Sequence, residues 1–85
     1  MMAVFTLGAD EIRIRKMCEI AEAWGFAGKY SDSKILLRDA RKKKFSHVLV
    51  LDYEALDDIK DELQRLGIQI ISLKDRKKLE GLIEI

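Results

Sequence analysis

Apolar and polar residues group along the first half of the chain into a strand, a helix and a second short strand. Residues 3–7 form an apolar run with β-favouring side chains, closed by Gly8, which predicts a buried strand. Over residues 10–24 apolar side chains recur at steps of three and four, which predicts an amphipathic helix ending at Gly25. Its inward face would be Ile14, Met17, Ala21 and Trp24. The glycine-containing segment 26–30 predicts at most a short edge strand.

The middle of the chain continues this alternation. Ser31 or Asp32 can cap a second helix that runs to about residue 43. Its inward face would be Ile35, Leu36 and Ala40. The run 48–51 is entirely apolar, which predicts a central strand covered by helices on both faces. Residues 68–73 predict a further strand.

The segment between these two strands carries the most regular helical pattern in the chain. Its apolar residues recur at steps of three, four and three, its acidic residues face away, and Gly67 would end the helix. The predicted inward residues are Leu56, Ile59, Leu63 and Leu66. The tail has two interpretations. Either a helical turn over 75–80 precedes an edge strand at 82–85, or Leu79, Leu82 and Ile83 form one apolar helical face that seeks a partner.

The alternation of strands and helices predicts a single α/β domain over residues 1–85, a three-layer sandwich around a mainly parallel four-stranded sheet. Hydrophobic residues make up 48% and charged residues 36%, which favours a folded domain over disorder. No apolar run approaches a membrane span, and residues 1–7 lack a signal peptide's basic start, so we expect a cytoplasmic protein without membrane contact. Cys18 and His47 are single residues of their kinds, so we expect no disulfide, zinc site or cofactor, and no catalytic partner for His47.

The net charge of +1 offers no overall attraction for nucleic acid, but basic residues gather in one run. This basic run is Arg41, Lys42, Lys43 and Lys44. It can contact phosphates in a salt-dependent way, or it can be the solvated end of a helix whose dipole favours cations. Because no aromatic residue interleaves with it, any DNA binding is expected to be weak and non-specific.

Acidic residues stand where predicted strands end. Asp52 follows the central strand, and the carboxyl ends of parallel strands are where α/β proteins bind ligands. Asp52 can equally cap the next helix. Asp10 and Glu11 with Asp52 and Lys74 could form a magnesium pocket like that of response-regulator receiver domains, although acids at a helix start explain Asp10 and Glu11 equally well.

Several stretches resemble the amino-terminal catalytic domain of the serine recombinases, the resolvase and invertase family. Residues 4–11, VFTLGADE, are similar to the family's opening strand and turn, and 36–40 with 45–46 to the approach to its third strand. Residues 48–52, VLVLD, resemble the strand that continues as Leu-Asp-Arg-Leu, and 67–73 the strand after the next helix. The resemblance implies a sheet order of 2-1-3-4.

The chain departs from this family at the positions that carry its chemistry. The family's serine hydroxyl attacks a DNA phosphodiester while arginines stabilise the charge on the phosphate. Gly8 stands at the serine position, and a family loop is shortened to residues 29–33. Positions that resemble active-site arginines hold Thr6, Tyr30 and Tyr53, whereas the aspartate is retained as Asp52.

The resemblance therefore implies a degenerate, catalytically inactive member of the family, truncated before its dimer helix and its helix-turn-helix DNA reader. We expect a protein-interaction or oligomerisation module, linked to DNA recombination or its regulation, that self-associates or binds a related recombinase. The alternative is a small receiver-like regulatory domain that binds Mg²⁺ or a phosphate ligand at the carboxyl edge of the sheet.

Overall fold

Four parallel strands form one sheet in the order β2-β1-β3-β4. The structure is a computed structural model that describes residues 1–42 and 45–75. The strands are β1 (Met2–Phe5), β2 (Phe26–Tyr30), β3 (His47–Val50) and β4 (Gln69–Ser72). The α/β class, the parallel sheet and the order 2-1-3-4 are confirmed.

Helices alternate with these strands. They are α1 (Glu11–Ala23), α2 (Ser33–Lys42), a 3-10 helix (Tyr53–Leu56) and α3 (Lys60–Arg65). Asp32 caps α2, since its carboxylate accepts a hydrogen bond from the Lys34 amide at 2.8 Å.

The sheet is covered on both faces, and each face has its own core. On one face, Met17 and Ala21 of α1 pack against alternate side chains of β1, β3 and β4. These strand side chains are Met2, Val4, Leu49 and Ile71. On the other face α2, the 3-10 helix and α3 contribute Leu36, Ala40, Leu56 and Leu63 to a cluster with Ala3, Phe5, Val48 and Val50. Because both faces are covered, the central strands β1 and β3 are almost wholly apolar.

The predicted continuous helix over 56–66 is wrong. A 3-10 helix and a turn come first, and Ile59 bonds back to Leu56 with the three-residue spacing of a 3-10 turn. The three-residue step keeps Leu56 and Ile59 buried, whereas Leu66 is 46% exposed. Leu66 is the last residue before Gly67, which has φ +80° and ends α3 as predicted. The Gly67 and Ile68 amides bond to Gln64 and Leu63, the paired hydrogen bonds of a Schellman motif.

Two further side chains differ from their predicted positions. Leu7 lies beyond the end of β1 and is 52% exposed. Ile35 is 43% exposed, because Leu36 and Ala40 define the inward stripe of α2 and Ile35 lies to one side of it. Trp24 packs against the core on the α1 face as predicted, although it is only partly buried, with its ring centroid 5.0 Å from that of His47.

Part of the predicted chain lies outside the described residues. This applies to Lys43, Lys44 and the tail from residue 76 onward, so both interpretations of the tail remain predictions. Within the described ranges, every helix is too short and too polar to cross a membrane.

Candidate functional site

The connections of the sheet point to the crevice beyond the carboxyl ends of β1 and β3. From β1 the chain passes to β2 on one side, and from β2 it returns to β3 on the other side of β1. Ligands of open α/β sheets bind at such a switch in strand order. The loops that follow β1 and β3 therefore form the candidate site.

The loop after β1 is a tight turn held against β2. The Ala9 amide bonds to the Thr6 carbonyl at 3.0 Å, and Gly8 within this turn has φ +81°. The Thr6 amide and hydroxyl both donate to the Tyr30 carbonyl, at 2.7 and 3.2 Å. Thr6 thus fastens the end of β1 to β2, and Leu7 projects at the tip of the turn.

Asp10 is the N-cap residue of α1. Its carboxylate accepts hydrogen bonds from the Arg13 amide at 2.8 Å and from the Arg13 guanidinium at 2.9 Å. Glu11 lies in the first turn of the same helix and is exposed. Both acids therefore lie where the positive end of the helix dipole favours negative charge.

Asp52 precedes the 3-10 helix but does not cap it with its side chain. Its carboxylate instead accepts a hydrogen bond from the Lys74 ammonium, 3.3 Å away, beyond β4. The predicted capping role is therefore wrong, since the carboxylate pairs with a cation on a neighbouring loop and not with a helix amide.

The predicted acidic pocket is only partly assembled. Asp52 and Lys74 lie together, while Asp10 is paired with Arg13. Among residues 1–42 and 45–75, no group of three or more His, Cys, Asp or Glu side chains is arranged to hold a metal ion. Asp10, Glu11 and Asp52 therefore do not form a magnesium cluster with one another.

Tyr30 and Tyr53 make different contacts. The Tyr30 hydroxyl donates to Asp39 of α2 at 2.7 Å, and its ring lies 6.0 Å from that of Phe45. Burial, followed by the hydrogen bond to Asp39, raises the pKa of Tyr30 to about 12. The Tyr53 hydroxyl donates to Asp75 at 2.9 Å, and burial followed by this bond also raises the pKa of Tyr53. Tyr30 packs between β2 and α2, whereas Tyr53 lies at the surface with 37% exposure.

Three of the seven large apolar side chains that are exposed within the described residues lie at the carboxyl edge. Leu7 is 52% exposed in the turn after β1, and Ile12 is 81% exposed in the first turn of α1. Tyr53 begins the 3-10 helix after β3. Because β1 and β3 are parallel neighbours, these three residues lie at the same edge, and we call them the carboxyl-edge patch. Ile12 could have been noticed in the sequence, since it lies outside the helical phase of Ile14 and Met17.

A shallow depression adjoins this edge on the β2 side. It measures about 180 Å³ and is lined by Thr6, Ile14, Lys29, Tyr30 and Ser31.

The described part of the basic run lies elsewhere, at the end of α2. Arg41 pairs with Glu62 of α3 at 2.6 Å, and the two residues line a separate depression of about 210 Å³ with Arg65 and Leu66. One basic side chain of the run is thus neutralised within the fold.

His47 contacts the neighbouring Ser46, and the prediction that it has no catalytic partner stays a prediction. Its Nδ1 lies 2.8 Å from the Ser46 hydroxyl oxygen, at the opposite edge of the sheet from the carboxyl-edge patch. That hydroxyl also lies 2.8 Å from the Met1 carbonyl, and the Ser46 amide donates to the same carbonyl. Burial lowers the pKa of His47. These contacts join the start of β1 to the start of β3, which is a structural role.

Comparison of the chain with protein-family models, curated proteins and solved structures found no match.

Proposed function

We propose that this chain is a non-catalytic domain that works by binding protein through its carboxyl-edge patch. The observation that carries the proposal is the exposure of Leu7, Ile12 and Tyr53 where an open α/β sheet normally presents polar ligand-binding groups. Exposed apolar side chains that share one end of a domain are candidates for an interaction site. Covering one such side chain fully contributes roughly 1.5–3 kcal/mol.

The two ion pairs at this edge disfavour a phosphate ligand. Arg13 and Lys74, the cations in ion pairs there, are held by Asp10 and Asp52 respectively. An incoming phosphate would have to compete with these carboxylates. An apolar partner surface would leave both pairs intact at its rim, where exposed ion pairs contribute little energy.

The resemblance to the serine recombinases supplies the candidate partners and the biological setting. We propose a second copy of this chain or a related recombinase, in DNA recombination or its regulation. Direct DNA contact is expected to be weak and non-specific, because the net charge is only +1 and Arg41 is paired with Glu62.

Sedimentation velocity tests this proposal. The chain is run alone over a range of concentrations, mixed with the catalytic domain of a serine recombinase, and mixed with labelled duplex DNA. We expect protein assembly that Ile12→Lys abolishes, because the substitution places a charge in the patch without disturbing the core. Leu66→Lys is the matched control, since Leu66 is an exposed apolar residue at the end of α3. The proposal is overturned if no protein assembly forms, or if both variants behave alike.

A second candidate function rests on the contact between Asp52 and Lys74 at the carboxyl edge. An aspartate follows one strand and a lysine follows the next. This arrangement is the basis of the alternative function, a receiver-like domain that binds Mg²⁺ or a phosphate ligand. Calorimetric titration with Mg²⁺ and with inorganic phosphate tests it. The candidate requires heat of binding and a raised melting temperature that Asp52→Asn removes; the absence of both eliminates it.

A further inference from the structure

Two exposed basic residues lie close to the carboxyl-edge patch without an ion pair. Arg15 and Lys16 follow Ile12 in the second turn of α1, and both are exposed. The ion pairs within residues 1–42 and 45–75 involve neither of them, although Glu11 and Glu19 are on the same helix. We call Arg15 and Lys16 the basic surface.

A group of acidic residues lies beyond the same edge, on the opposite face of the sheet. Glu54 is the second residue of the 3-10 helix that begins with Tyr53, Asp57 follows that helix, and Asp61 lies in the first turn of α3. All three are exposed, and none takes part in an ion pair within the described residues. Lys60 is the single cation in the segment 53–61, so the segment is strongly negative. We call Glu54, Asp57 and Asp61 the acidic surface.

Each charged surface adjoins an apolar member of the patch. The basic surface lies beside Ile12 on α1, and the acidic surface lies beside Tyr53. α1 packs on one face of the sheet, whereas Leu56 and α3 pack on the other. Residues 10–16 carry three basic and two acidic side chains, whereas residues 53–61 carry one basic and four acidic side chains. The carboxyl edge therefore has an apolar centre between a side of net positive charge and a side of net negative charge, which is the arrangement of a self-complementary interface.

We propose that the partner of the carboxyl-edge patch is a second copy of this chain, docked so that the basic surface of each copy faces the acidic surface of the other. This inference rests on the proposed function and adds the identity and orientation of the partner. A two-fold axis through the carboxyl edge produces both charge contacts at once, because in such a dimer a contact from one copy to its partner is always repeated in reverse.

Charge reversal with mixing tests the proposal. One variant carries Arg15→Glu and Lys16→Glu, and the other carries Glu54→Lys and Asp57→Lys. Each variant alone would bring like charges together, so we expect its dimer to weaken by at least about tenfold. In an equimolar mixture every contact again joins opposite charges, so we expect a heterodimer of about wild-type affinity by sedimentation velocity. Wild-type assembly should weaken between about 0.02 M and about 0.3 M salt as screening increases.

Lys42→Glu with Arg65→Glu is the matched control. It makes the same change in net charge as Arg15→Glu with Lys16→Glu, but at exposed positions near the ends of α2 and α3. We expect it to leave dimerisation unchanged. Recovery in the mixture excludes unfolding as the cause of weakening, since unfolded variants would not rescue one another. The proposal is overturned if wild type is monomeric, if the reversed variants dimerise like wild type, or if mixing restores nothing.

The outcomes separate this inference from the function on which it rests. A dimer that Ile12→Lys disrupts but charge reversal leaves intact overturns the charge pairing alone. A chain that is monomeric by itself but assembles with the recombinase domain overturns the second copy as partner and retains the protein-binding function. Failure of every protein assembly overturns both.

Discussion

At the scale of single residues, backbone conformation explains why glycine occupies position 8. Gly8 lies in the turn after β1 with φ +81°, a region that side-chain-bearing residues rarely adopt. No atom lies within 4 Å of the place where a Cβ would stand, so the constraint is the backbone angle itself. The serine that the recombinase resemblance implies at this position would therefore be strained in this turn.

Gly8→Ser is expected to lower the free energy of unfolding by about 1 kcal/mol, because the left-handed backbone would be retained at a cost. Urea denaturation followed by circular dichroism measures the change. Asn tolerates this region better than Ser, so Gly8→Asn should lose less. Equal stability of Gly8→Ser and wild type would show that the turn does not require the left-handed conformation.

Tyr30 should make stability depend on pH in the alkaline range. Its pKa is about 12 in the folded chain against an ordinary value of 10.0, so the folded state holds the phenolic proton more tightly. The resulting stability is fully present below pH 10 and is lost as the pH rises towards 12.

Tyr30→Phe should therefore flatten this alkaline loss while lowering stability at neutral pH by about 1 kcal/mol, because the hydrogen bond to Asp39 is removed. Chemical denaturation across pH 8 to 12 measures both effects on the same samples. Tyr53→Phe is the control, with a smaller effect expected from its more exposed hydroxyl. An unchanged alkaline profile in Tyr30→Phe would contradict the assignment.

At the scale of elements, three aspartates precede helices: Asp10 and Asp32 cap theirs, whereas the Asp52 side chain does not. Asp10 bonds to the free amide of Arg13, whereas the Asp52 side chain turns towards Lys74. Removing Asp10 leaves an amide at the start of α1 without its partner. Removing Asp52 breaks only an ion pair that is largely exposed.

Asp10→Ala is expected to destabilise the fold by about 1 kcal/mol through loss of the cap, and Asp52→Ala by less than about 0.5 kcal/mol. Thermal and urea unfolding of both variants measure the difference. Asp10→Asn separates the cap from the charge, since an asparagine oxygen still accepts the amide hydrogen bond. If Asp10→Asn lost as much as Asp10→Ala, the ion pair with Arg13 would be the stabilising contact instead.

At the scale of the whole molecule, stability depends on two separate hydrophobic cores, one on each face of the sheet. Leu49 in β3 is fully buried among Met2, Met17 and Ile71, on the face covered by α1. A chain of 85 residues has a small core, so each such side chain supplies a large share of the total.

Leu49→Ala should therefore lower the free energy of unfolding by about 2–5 kcal/mol, enough to unfold much of the protein at 37 °C. Calorimetry or urea denaturation measures the loss. Leu66→Ala is the matched control, because Leu66 is 46% exposed and lies outside the carboxyl-edge patch, so its truncation should cost less than about 0.5 kcal/mol. Similar losses in the two variants would contradict the assigned burial.

Periodicity and turn chemistry alone determined the class, the order of elements and most of the core. Val48, Leu49 and Val50 are buried as the all-apolar run 48–51 predicts, whereas Leu51, just beyond β3, is only partly buried. Leu56, Ile59 and Leu63 are buried as their spacing predicts, because a 3-10 turn keeps Leu56 and Ile59 on the inward side although the continuous helix does not form. Gly25 and Gly67 marked helix ends for the same local reason.

Only the tertiary structure decided what the carboxyl edge presents. The pairing of Asp52 with Lys74, the contact of Tyr30 with Asp39 and the joint exposure of Leu7, Ile12 and Tyr53 depend on how separate loops meet after the strands align. Local periodicity does not predict such contacts between loops. It indicates which face of one element is buried, but not which elements become neighbours. The candidate interaction site therefore became visible only when β1 and β3 lay side by side.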